Sequence, residues 1–199
     1  MMKRGCDPVY VHFHSHPYTN ISSQEKVERL AGVLARYKTT STMYSIPFID
    51  IQKQIMTKTD KKYRVILYRR YMMRIAEMIA RKENAKALVS GDAVGQVASQ
   101  ILENMAAIQE ATSMLILRPL VGFDKQEIIN KAKDIGTYEV SIEPHEDCCS
   151  LFIPKHPAIK SDIQTIKKME IGLDPAMINE CLQKSEKKKI SLYDKTNAD

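Results

Sequence analysis

Hydrophobic and polar positions along the chain alternate between two patterns, one typical of strands and one typical of helices. Pro8 to His14 and Met43 to Ile49 are short runs rich in β-branched and aromatic residues, so both predict strands. Pro47 places the second strand near an edge or a strand end, because proline cannot donate a ladder hydrogen bond. From about Tyr63 to Lys82 the apolar residues recur at steps of three and four, which predicts a long amphipathic helix.

The same alternation continues through the rest of the chain. Ala85 to Val89 and Met114 to Leu117 are short apolar runs that predict two more strands, and Val94 to Ala107 predicts the helix between them. Capping boxes predict helix starts at Asp124 and Ser161. Strands that alternate with helices predict a parallel, doubly wound α/β sheet that is covered on both faces.

One domain accounts for most of this chain. A length of 199 residues with 44% hydrophobic residues is enough for one ordinary core, and we expect the domain to cover residues 1–184. Residues 185–199 are rich in lysine and lack hydrophobic periodicity. They therefore predict a disordered tail.

Composition excludes several functional classes. The sequence lacks the run of roughly eighteen apolar residues that a transmembrane helix needs, and its first residues lack the apolar stretch of a secretory signal. Cys6, Cys148, Cys149 and Cys181 include no paired CxxC and do not have the spacing of a disulfide scaffold. These features predict a protein of the reducing cytoplasm with no membrane partner. The net charge of +6 permits a polyanionic partner without requiring one.

Candidate chemistry lies where the predicted strands end. In open α/β sheets, ligands bind at the carboxyl ends of the strands. That rule selects three places, which are His12 to His16, Ser90 to Gln96 and the loop around Asp147 to Cys149. Loops in such places carry functional side chains on a rigid frame.

Each of these segments also has a structural interpretation. His12, His14 and His16 alternate as metal ligands on one strand face would, but no fourth ligand follows at a suitable spacing. Glycines in the second segment can serve a tight turn or close helix packing alone. Cys148 and Cys149 are either inert buried thiols or, in an exposed polar loop, reactive thiolates. The residues alone leave these alternatives open.

Three stretches give a more specific indication. They are KYRVILYRRYMMRIA (62–76), LVSGDAVGQVASQILEN (88–104) and the segment from RPLVGFDK (118–125) to EDCC (146–149). In wording, order and spacing they resemble signatures of the tRNA 4-thiouridine synthetases, also called thiamine-biosynthesis sulfurtransferases. The similarity covers about residues 1–182.

The resemblance implies a fold and an activity. The fold is the PP-loop, adenine-nucleotide alpha-hydrolase-like type of α/β domain. In this family ATP, with Mg²⁺ expected, adenylates a tRNA uridine, and a sulfur carried as a persulfide then displaces AMP to leave 4-thiouridine. The resemblance also implies two partners, tRNA and a cysteine desulfurase as sulfur donor. It further implies a link to thiamine thiazole synthesis.

The resemblance also implies roles for particular residues. Cys149 matches the family's sulfur-handling cysteine, whereas the position of Cys148 is not always cysteine. Positions that contact the adenine nucleotide in the family are occupied here by His12, Phe13, Arg69, Gly91 and Gln100. An arginine can bind phosphate in a bidentate way, and a glycine lets the backbone approach a ligand.

The sequence departs from the family pattern at its amino-terminal side. The Ser-Gly-Gly-x-Asp-Ser phosphate loop, the first strand and the tRNA-binding THUMP domain are expected upstream of Met1. In the strand order 3-2-1-4-5 that first strand is central, so the strands at Val9–His14 and Ala85–Val89 are expected to flank a gap. We expect no thiolation of tRNA by this chain alone.

Two alternatives stay open at this stage. One is a non-catalytic remnant or accessory fragment that keeps the fold and weak nucleotide binding. The other is a different PP-loop tRNA thiolase, against which the cysteine pair and the segment from Gly91 to Gln100 both argue. The sequence does not indicate an oligomeric state.

Overall fold

The computed structural model of the protein describes residues 1–37, 40–146, 148, 152, 154 and 157–191. The strands are β1 (Val9–His14), β2 (Thr40–Pro47), β3 (Ala87–Val89), β4 (Leu115–Leu117) and β5 (Glu186–Ser191). The helices are α1 (Ser22–Leu34), α2 (Ile49–Lys58), α3 (Arg64–Lys82), α4 (Leu102–Gln109), α5 (Lys125–Asp134), α6 (Tyr138–Ser141), α7 (Ile163–Glu170) and α8 (Met177–Gln183). Among these helices, none has the length and apolar character needed to cross a bilayer.

The described strands form two separate sheets. In the first, β1 runs parallel to β2, with Val9 opposite Thr42, and β5 adds to the other edge of β2 in the antiparallel sense. In the second, β3 runs parallel to β4, with Ala87 opposite Leu115. The α/β class with parallel strands is confirmed. β1 and β3, which were expected to flank a gap, each pair with a described strand on one side only.

Helices cover both faces of the larger sheet. On one face, α1 contributes Ala31 to a small cluster with Met43 of β2 and Ile190 of β5. On the other face, α2, α3 and α8 bury the main core, in which Leu67 and Ile75 of α3 are fully inaccessible to water. Apolar residues three and four positions apart line one side of a helix, and this periodicity places α3 at the centre of the core.

The predicted disordered tail is wrong for residues 186–191, which form β5. Ile190 supplies the buried face of this strand, while Lys187 donates to Glu83 at 2.7 Å and Lys188 to Glu28 at 2.7 Å. This strand depends on pairing with β2, a long-range contact that a run of lysines does not reveal. Residues 192–199 of the predicted tail lie outside the described residues.

The helix predicted over Val94–Ala107 is shorter than expected. It begins at Leu102, after a loop and a single 3-10 turn at Ala98–Gln100. Gly95 has φ +80°, a left-handed conformation that interrupts a helix and suits glycine. The consequence is functional, because the loop thereby becomes a wall of the site described below.

A buried arginine joins the core helices. Arg70 is 1% exposed and donates to Glu170 at 2.8 and 3.0 Å and to Glu110 at 3.0 Å. Arg74 donates to the same Glu170 carboxylate at 2.7 Å, and Arg70 also donates to the backbone carbonyl of Ala107. These bonds hold α7 and α4 against α3. A buried charge of this kind is tolerated only when its partners satisfy it.

We expect Glu170→Gln to lower the free energy of unfolding by about 3 kcal/mol at neutral pH, since it leaves Arg70 buried with incomplete compensation. Burial alone would raise the pKa of Glu170, but hydrogen bonds and charge from Arg70 and Arg74 hold it below 4.5. A carboxyl group whose pKa is lower in the folded than in the unfolded state stabilises the fold at pH values above its unfolded-state pKa. This stabilisation is lost as the pH falls through the folded-state pKa. Urea unfolding of Glu170→Gln and of the exposed control Glu180→Gln should differ at pH 7, and the Glu170 effect should shrink below about pH 4.5. Equal loss for both variants would contradict this prediction.

We also expect the protein to associate through its strand edges. The outer edges of β1 and β3 have no described strand beside them, and unpaired edges are templates for further pairing. Circular dichroism melts at low and high protein concentration should therefore give different midpoints. A single concentration-independent transition, together with a monomeric mass in solution, would show that these edges are closed.

Candidate functional site

A cavity lies beside the carboxyl end of β1, against one side of α3. Its volume is about 540 Å³. Its apolar lining comes from Phe13, Val65, Ile66, Met72, Met73, Val97, Ala98, Pro157 and Ala158. Its polar lining consists of Lys62, Arg69, Ser99 and Gln100. An apolar cavity with a few convergent polar groups is the usual form of a small-molecule site.

The structure brings three of the five predicted nucleotide contacts to this cavity. Phe13, Arg69 and Gln100 line it, and Phe13 also packs edge-on against Phe48 with ring centroids 5.4 Å apart. Gly91 does not line the cavity, but it directly precedes Asp92, whose carboxylate binds both Arg69 and Gln100. The sequence segment after β3 therefore does contribute to the site.

His12 lies on the other face of β1. Successive side chains of a strand point to opposite faces, so His12 shares its face with Tyr10 and not with Phe13. Tyr10 packs against the α1-side cluster, whereas Phe13 packs against the main core. At the cavity, His12 can therefore offer its backbone but not its imidazole.

Asp92 connects the polar groups of the cavity wall, a role that the sequence analysis missed. The residue is 4% exposed, and its carboxylate accepts from Arg69 Nη2 at 2.5 Å and from Ser90 Oγ at 2.7 Å. Gln100 Nε2 donates at 3.4 Å, and Arg118 Nε lies 3.5 Å away. The signal available in the sequence was an acidic residue directly after a strand and a glycine, a position where carboxylates often bind ligands or hold other side chains.

Asp92 is held in its ionised form. Burial by itself would raise its pKa, but the charge of Arg69 and hydrogen bonds from Ser90, Arg69 and Gln100 lower it below the ordinary value of 3.8. The carboxylate is therefore an acceptor throughout the physiological range. This fixes the donors around it, because an ionised carboxylate accepts hydrogen bonds and donates none.

Cys148 of the cysteine loop, the predicted polar loop around Asp147 to Cys149, is connected to the end of β1 by two hydrogen bonds. Ser15 directly follows β1, and its Oγ donates to Gln52 Oε1 at 2.5 Å. Gln52 Nε2 in turn donates to the backbone carbonyl of Cys148 at 2.7 Å. Ser15 and Gln52 are both fully buried, so these hydrogen bonds are shielded from water.

A buried lysine holds the residues that precede the cysteines. Lys26 of α1 is 6% exposed, and its ammonium donates to the carbonyls of Ser141 at 2.6 Å and Glu143 at 2.8 Å. His145 Nδ1 lies 3.0 Å from the same nitrogen. An ammonium has three donors, so these three neighbours satisfy it without a carboxylate. Asn20 adds a backbone N–H bond to Glu146 at 2.9 Å.

The residues after the loop return to the cavity wall. Asn104 Nδ2 of α4 donates to the carbonyls of Ala98 at 2.7 Å and of Ala158 and Ile159 at 3.0 Å. The backbone N–H of Ala158 donates to the backbone carbonyl of Lys62 at 2.8 Å. The described residues before the cysteine pair thus contact Lys26 of α1, and those after it lie in the wall of the cavity.

The described cysteines differ in accessibility. Cys6 is exposed, whereas Cys148 and Cys181 are buried. Burial and the nearby charge of Asp50 raise the pKa of Cys181 to about 12, so it stays a thiol at neutral pH. Cys149, the predicted sulfur carrier, lies outside the described residues.

The described part of the chain contains no set of side chains suited to bind a metal ion. No group of three His, Cys, Asp or Glu side chains is arranged there to hold an ion. His14 and His16 are linked by a hydrogen bond from the backbone N–H of His16 to His14 Nδ1 at 3.4 Å. Burial and the charge of His16 lower the pKa of His14.

A second, larger cavity of about 820 Å³ lies between α1, α6 and β5. None of the predicted site residues lines it. Its polar residues include Glu28 and Lys188, which already form an ion pair at 2.7 Å. The smaller cavity is the better candidate site, because it lies at a strand end and is lined by three of the predicted nucleotide contacts.

Parallel strands that end at a cavity with cationic and amide groups are typical of α/β proteins that bind a ligand at the carboxyl ends of their strands. Comparison with known proteins makes this assignment more specific. Residues 1–174 match the family ThiI, described as thiamine biosynthesis protein, and the chain belongs to this family.

The similar proteins found by comparison are consistent with membership of that family. The chain is 47% identical over 173 residues to a probable tRNA sulfurtransferase of Thermus thermophilus, covering 87% of this chain and 43% of the relative. It is 45% identical over 186 residues to that of Moorella thermoacetica, covering 93% and 48%. A solved 4-thiouridine synthetase in complex with RNA and ATP superposes with a TM-score of 0.90 at 38% identity, covering 95% of this chain and 50% of that one. The chain spans about half the length of the curated relatives it matches.

We expect Cys149 to react fastest with limiting iodoacetamide at pH 8, because it follows the polar stretch His145–Glu146 and matches a sulfur-handling position. Cys181 should remain unmodified, because a thiol with a pKa of about 12 has almost no thiolate at that pH. Exposed Cys6 is the internal control for simple accessibility. Peptide mass spectrometry measures all sites at once, and labelling of Cys6 ahead of Cys149 would refute the prediction.

Proposed function

We propose that this chain supplies the catalytic part of an ATP-dependent tRNA sulfurtransferase that makes 4-thiouridine in the cytoplasm. The observation that carries the proposal is the cavity at the end of β1, which has predicted nucleotide contacts on one wall and the return of the cysteine loop on another. Similarity to sulfurtransferases and to a synthetase that binds RNA and ATP supports the same function.

The nucleotide half of the proposal rests on the shape and lining of the cavity. Phe13 and the methionines of α3 offer apolar surface to the faces of a base, while Arg69 and Gln100 offer polar groups to its edges or to the ribose. In the proposed reaction the carbonyl oxygen of a tRNA uridine attacks the α-phosphorus of ATP. Pyrophosphate leaves, and the uridine carries an adenylate.

The sulfur half rests on the position of the cysteine loop. Cys148 is held at its carbonyl by Gln52, and Cys149 follows it in the chain. A persulfide on Cys149, supplied by a cysteine desulfurase, attacks the activated carbon through its terminal sulfur, and AMP leaves. A second thiol then cleaves the sulfur–sulfur bond, so the complete cycle needs a thiol reductant.

Mg²⁺ would enter this site with the ATP phosphates. The buried carboxylate of Asp92 binds Arg69 and Gln100 of the cavity wall, and arginines occupy its oxygens. The described residues therefore offer no free carboxylate for a dedicated metal site there. A magnesium ion held mainly by phosphates and water is the usual arrangement for ATP.

The proposal is tested with a chimera in which this chain replaces the matching segment of a full-length relative. With ATP, tRNA, a cysteine desulfurase and reductant, we expect 4-thiouridine, measured by its near-ultraviolet absorbance. Cys149→Ser should abolish the product, because a serine cannot carry a persulfide. Cys6→Ser, at an exposed cysteine away from the loop, should leave the rate unchanged.

Two outcomes would count against the proposal. An inactive chimera that is folded and still binds tRNA would favour the alternative of a non-catalytic remnant. An active chimera that tolerates Cys149→Ser would place the sulfur on another residue. Both are read against the unmodified relative assayed in parallel.

A further inference from the structure

The turn that follows β1 carries an exposed aromatic ring that the proposed reaction does not yet use. Tyr18 in this turn is 53% exposed. The ammonium of Lys53 in α2 lies 4.5 Å from the centre of the ring. This distance is within the range of a cation–π contact, so the cation lies over one face and restrains the ring. The exposed surface of the ring is available to a ligand.

Two hydrogen-bonded connections place this ring beside the cysteine loop. The backbone N–H of Tyr18 donates to the carbonyl of Ser15 at 2.8 Å. The hydroxyl of Ser15 belongs to the hydrogen-bonded chain that reaches the carbonyl of Cys148. Two residues beyond Tyr18, the backbone N–H of Asn20 donates to Glu146 at 2.9 Å. The turn is therefore attached to the cysteine pair at its first member and to the residues just before it.

A second tyrosine with the same surroundings lies at the opposite edge of the sheet. In the described part of the chain, only Tyr18 and Tyr37 are tyrosines with more than half of their surface exposed, at 53% and 54%. The guanidinium carbon of Arg36 lies 5.1 Å from the centre of the Tyr37 ring, so each ring has a cation over it. Tyr37 precedes β2, at the amino end of that strand, whereas Tyr18 follows the carboxyl end of β1. Open α/β sheets bind ligands at the carboxyl ends of their strands, which favours Tyr18.

The proposed substrate gives an exposed ring at this place a specific use. Thiolation requires both ATP and sulfur to reach the carbonyl group of a uridine in a folded RNA. Enzymes that modify a base take it out of its stack, and aromatic side chains then replace the lost neighbours. Stacking of a base on an aromatic ring tolerates any sequence, and a nearby cation adds attraction to the phosphate backbone.

We propose that Tyr18 binds an unstacked base of the RNA substrate beside the cysteine loop, and that Lys53 attracts the phosphate backbone of the same strand. Because the turn that carries Tyr18 is bonded to this loop, a base held on the ring is also held in a defined position relative to Cys148. This inference rests on the proposed tRNA substrate. It adds to that proposal the side chains that hold a base near the sulfur carrier.

The stacking contact can be observed directly by fluorescence. The sequence contains no tryptophan, so Tyr18→Trp introduces a single fluorophore and keeps an aromatic ring at this position. Titration with oligouridylate should quench its emission, because a base stacks on the indole. An abasic oligonucleotide of the same length carries the same charge and should leave the emission unchanged. Tyr37→Trp is the matched control and should respond to neither strand. Equal quenching of the two variants, quenching by the abasic strand, or no response of Tyr18→Trp would overturn the proposal.

Affinities separate the ring from the charge. Tyr18→Ala should weaken binding of labelled oligouridylate to the 199-residue chain about tenfold, measured by fluorescence anisotropy, and Tyr18→Phe should keep the wild-type affinity. The dependence of affinity on salt should not change in Tyr18→Ala. Lys53→Gln should reduce the slope of log affinity against log salt concentration by about 0.7, the value for one lost phosphate contact on a single strand. An unchanged affinity of Tyr18→Ala would overturn the role of the ring, and an unchanged slope of Lys53→Gln would overturn that of the cation.

A protein that donates sulfur must also approach the cysteine loop, so loading of the chain is measured separately. After incubation with a cysteine desulfurase and cysteine, mass spectrometry should find the persulfide on Cys149 forming at the same rate in Tyr18→Ala and in wild type. Slower loading of the variant would make Tyr18 part of a protein interface and would overturn its assignment to RNA.

The chimera described above distinguishes failure of this inference from failure of the proposed function. In an active chimera, Tyr18→Ala should raise the KM for tRNA about tenfold and leave kcat unchanged, because stacking stabilises bound substrate and transition state alike. An unchanged KM would overturn the role of Tyr18 and leave the proposed function in place. An inactive chimera would count against the proposed function, and the fluorescence titration would still decide whether a base stacks on this ring.

Discussion

The ion pair between Arg70 and Glu170 is the contact on which the geometry of the site depends. Arg70 is 1% exposed and points into the core, where α7 and α4 close around it. Because neighbouring residues of a helix are rotated by about 100°, fixing Arg70 also fixes the direction of Arg69, which faces the cavity. One helix thus uses adjacent arginines for two purposes. The buried one sets the rotation of α3, and the other presents its donors to the cavity.

Among the residues that the structure describes, three charged side chains are buried, and each is satisfied in a different way. Arg70 has two carboxylates, Asp92 has two guanidiniums, and Lys26 has two backbone carbonyls with the imidazole of His145. Burying such groups costs free energy that their partners only offset, so they are weak evidence for stability. These pairs do restrict how the elements that carry the three charges can be arranged, because rotating one of those elements would leave its charge unpaired. All three lie on elements that form or hold the candidate site.

Hydrophobic periodicity was enough to predict the elements in which it is strong. It was not enough for elements whose structure depends on residues far away in the sequence. The helix expected from Tyr63 to Lys82 is α3, and the strand expected at Pro8–His14 is β1, each within one residue. In contrast, β5 forms from a lysine run only because β2 offers an edge to it. The role of Asp92 was equally invisible, since it depends on Arg69 and Arg118, which lie on elements distant in sequence. Residue types in the sequence indicated the candidate site residues, but their roles became clear only from their contacts in the structure.

The candidate cavity and the residues that follow the cysteine pair are held by one shared side chain, which bears on how the two steps of the proposed reaction can use one site. Asn104 of α4 binds the carbonyl of Ala98 in the cavity wall and those of Ala158 and Ile159 beyond the cysteine loop. Gln52 of α2, which accepts from Ser15 at the end of β1, binds the carbonyl of Cys148. Activation of a carbonyl and attack by sulfur on the same carbon require the two groups to be positioned relative to one another within a fraction of an ångström. A common frame of buried amides meets that requirement better than two independently supported loops, because displacement of either end then disturbs the other.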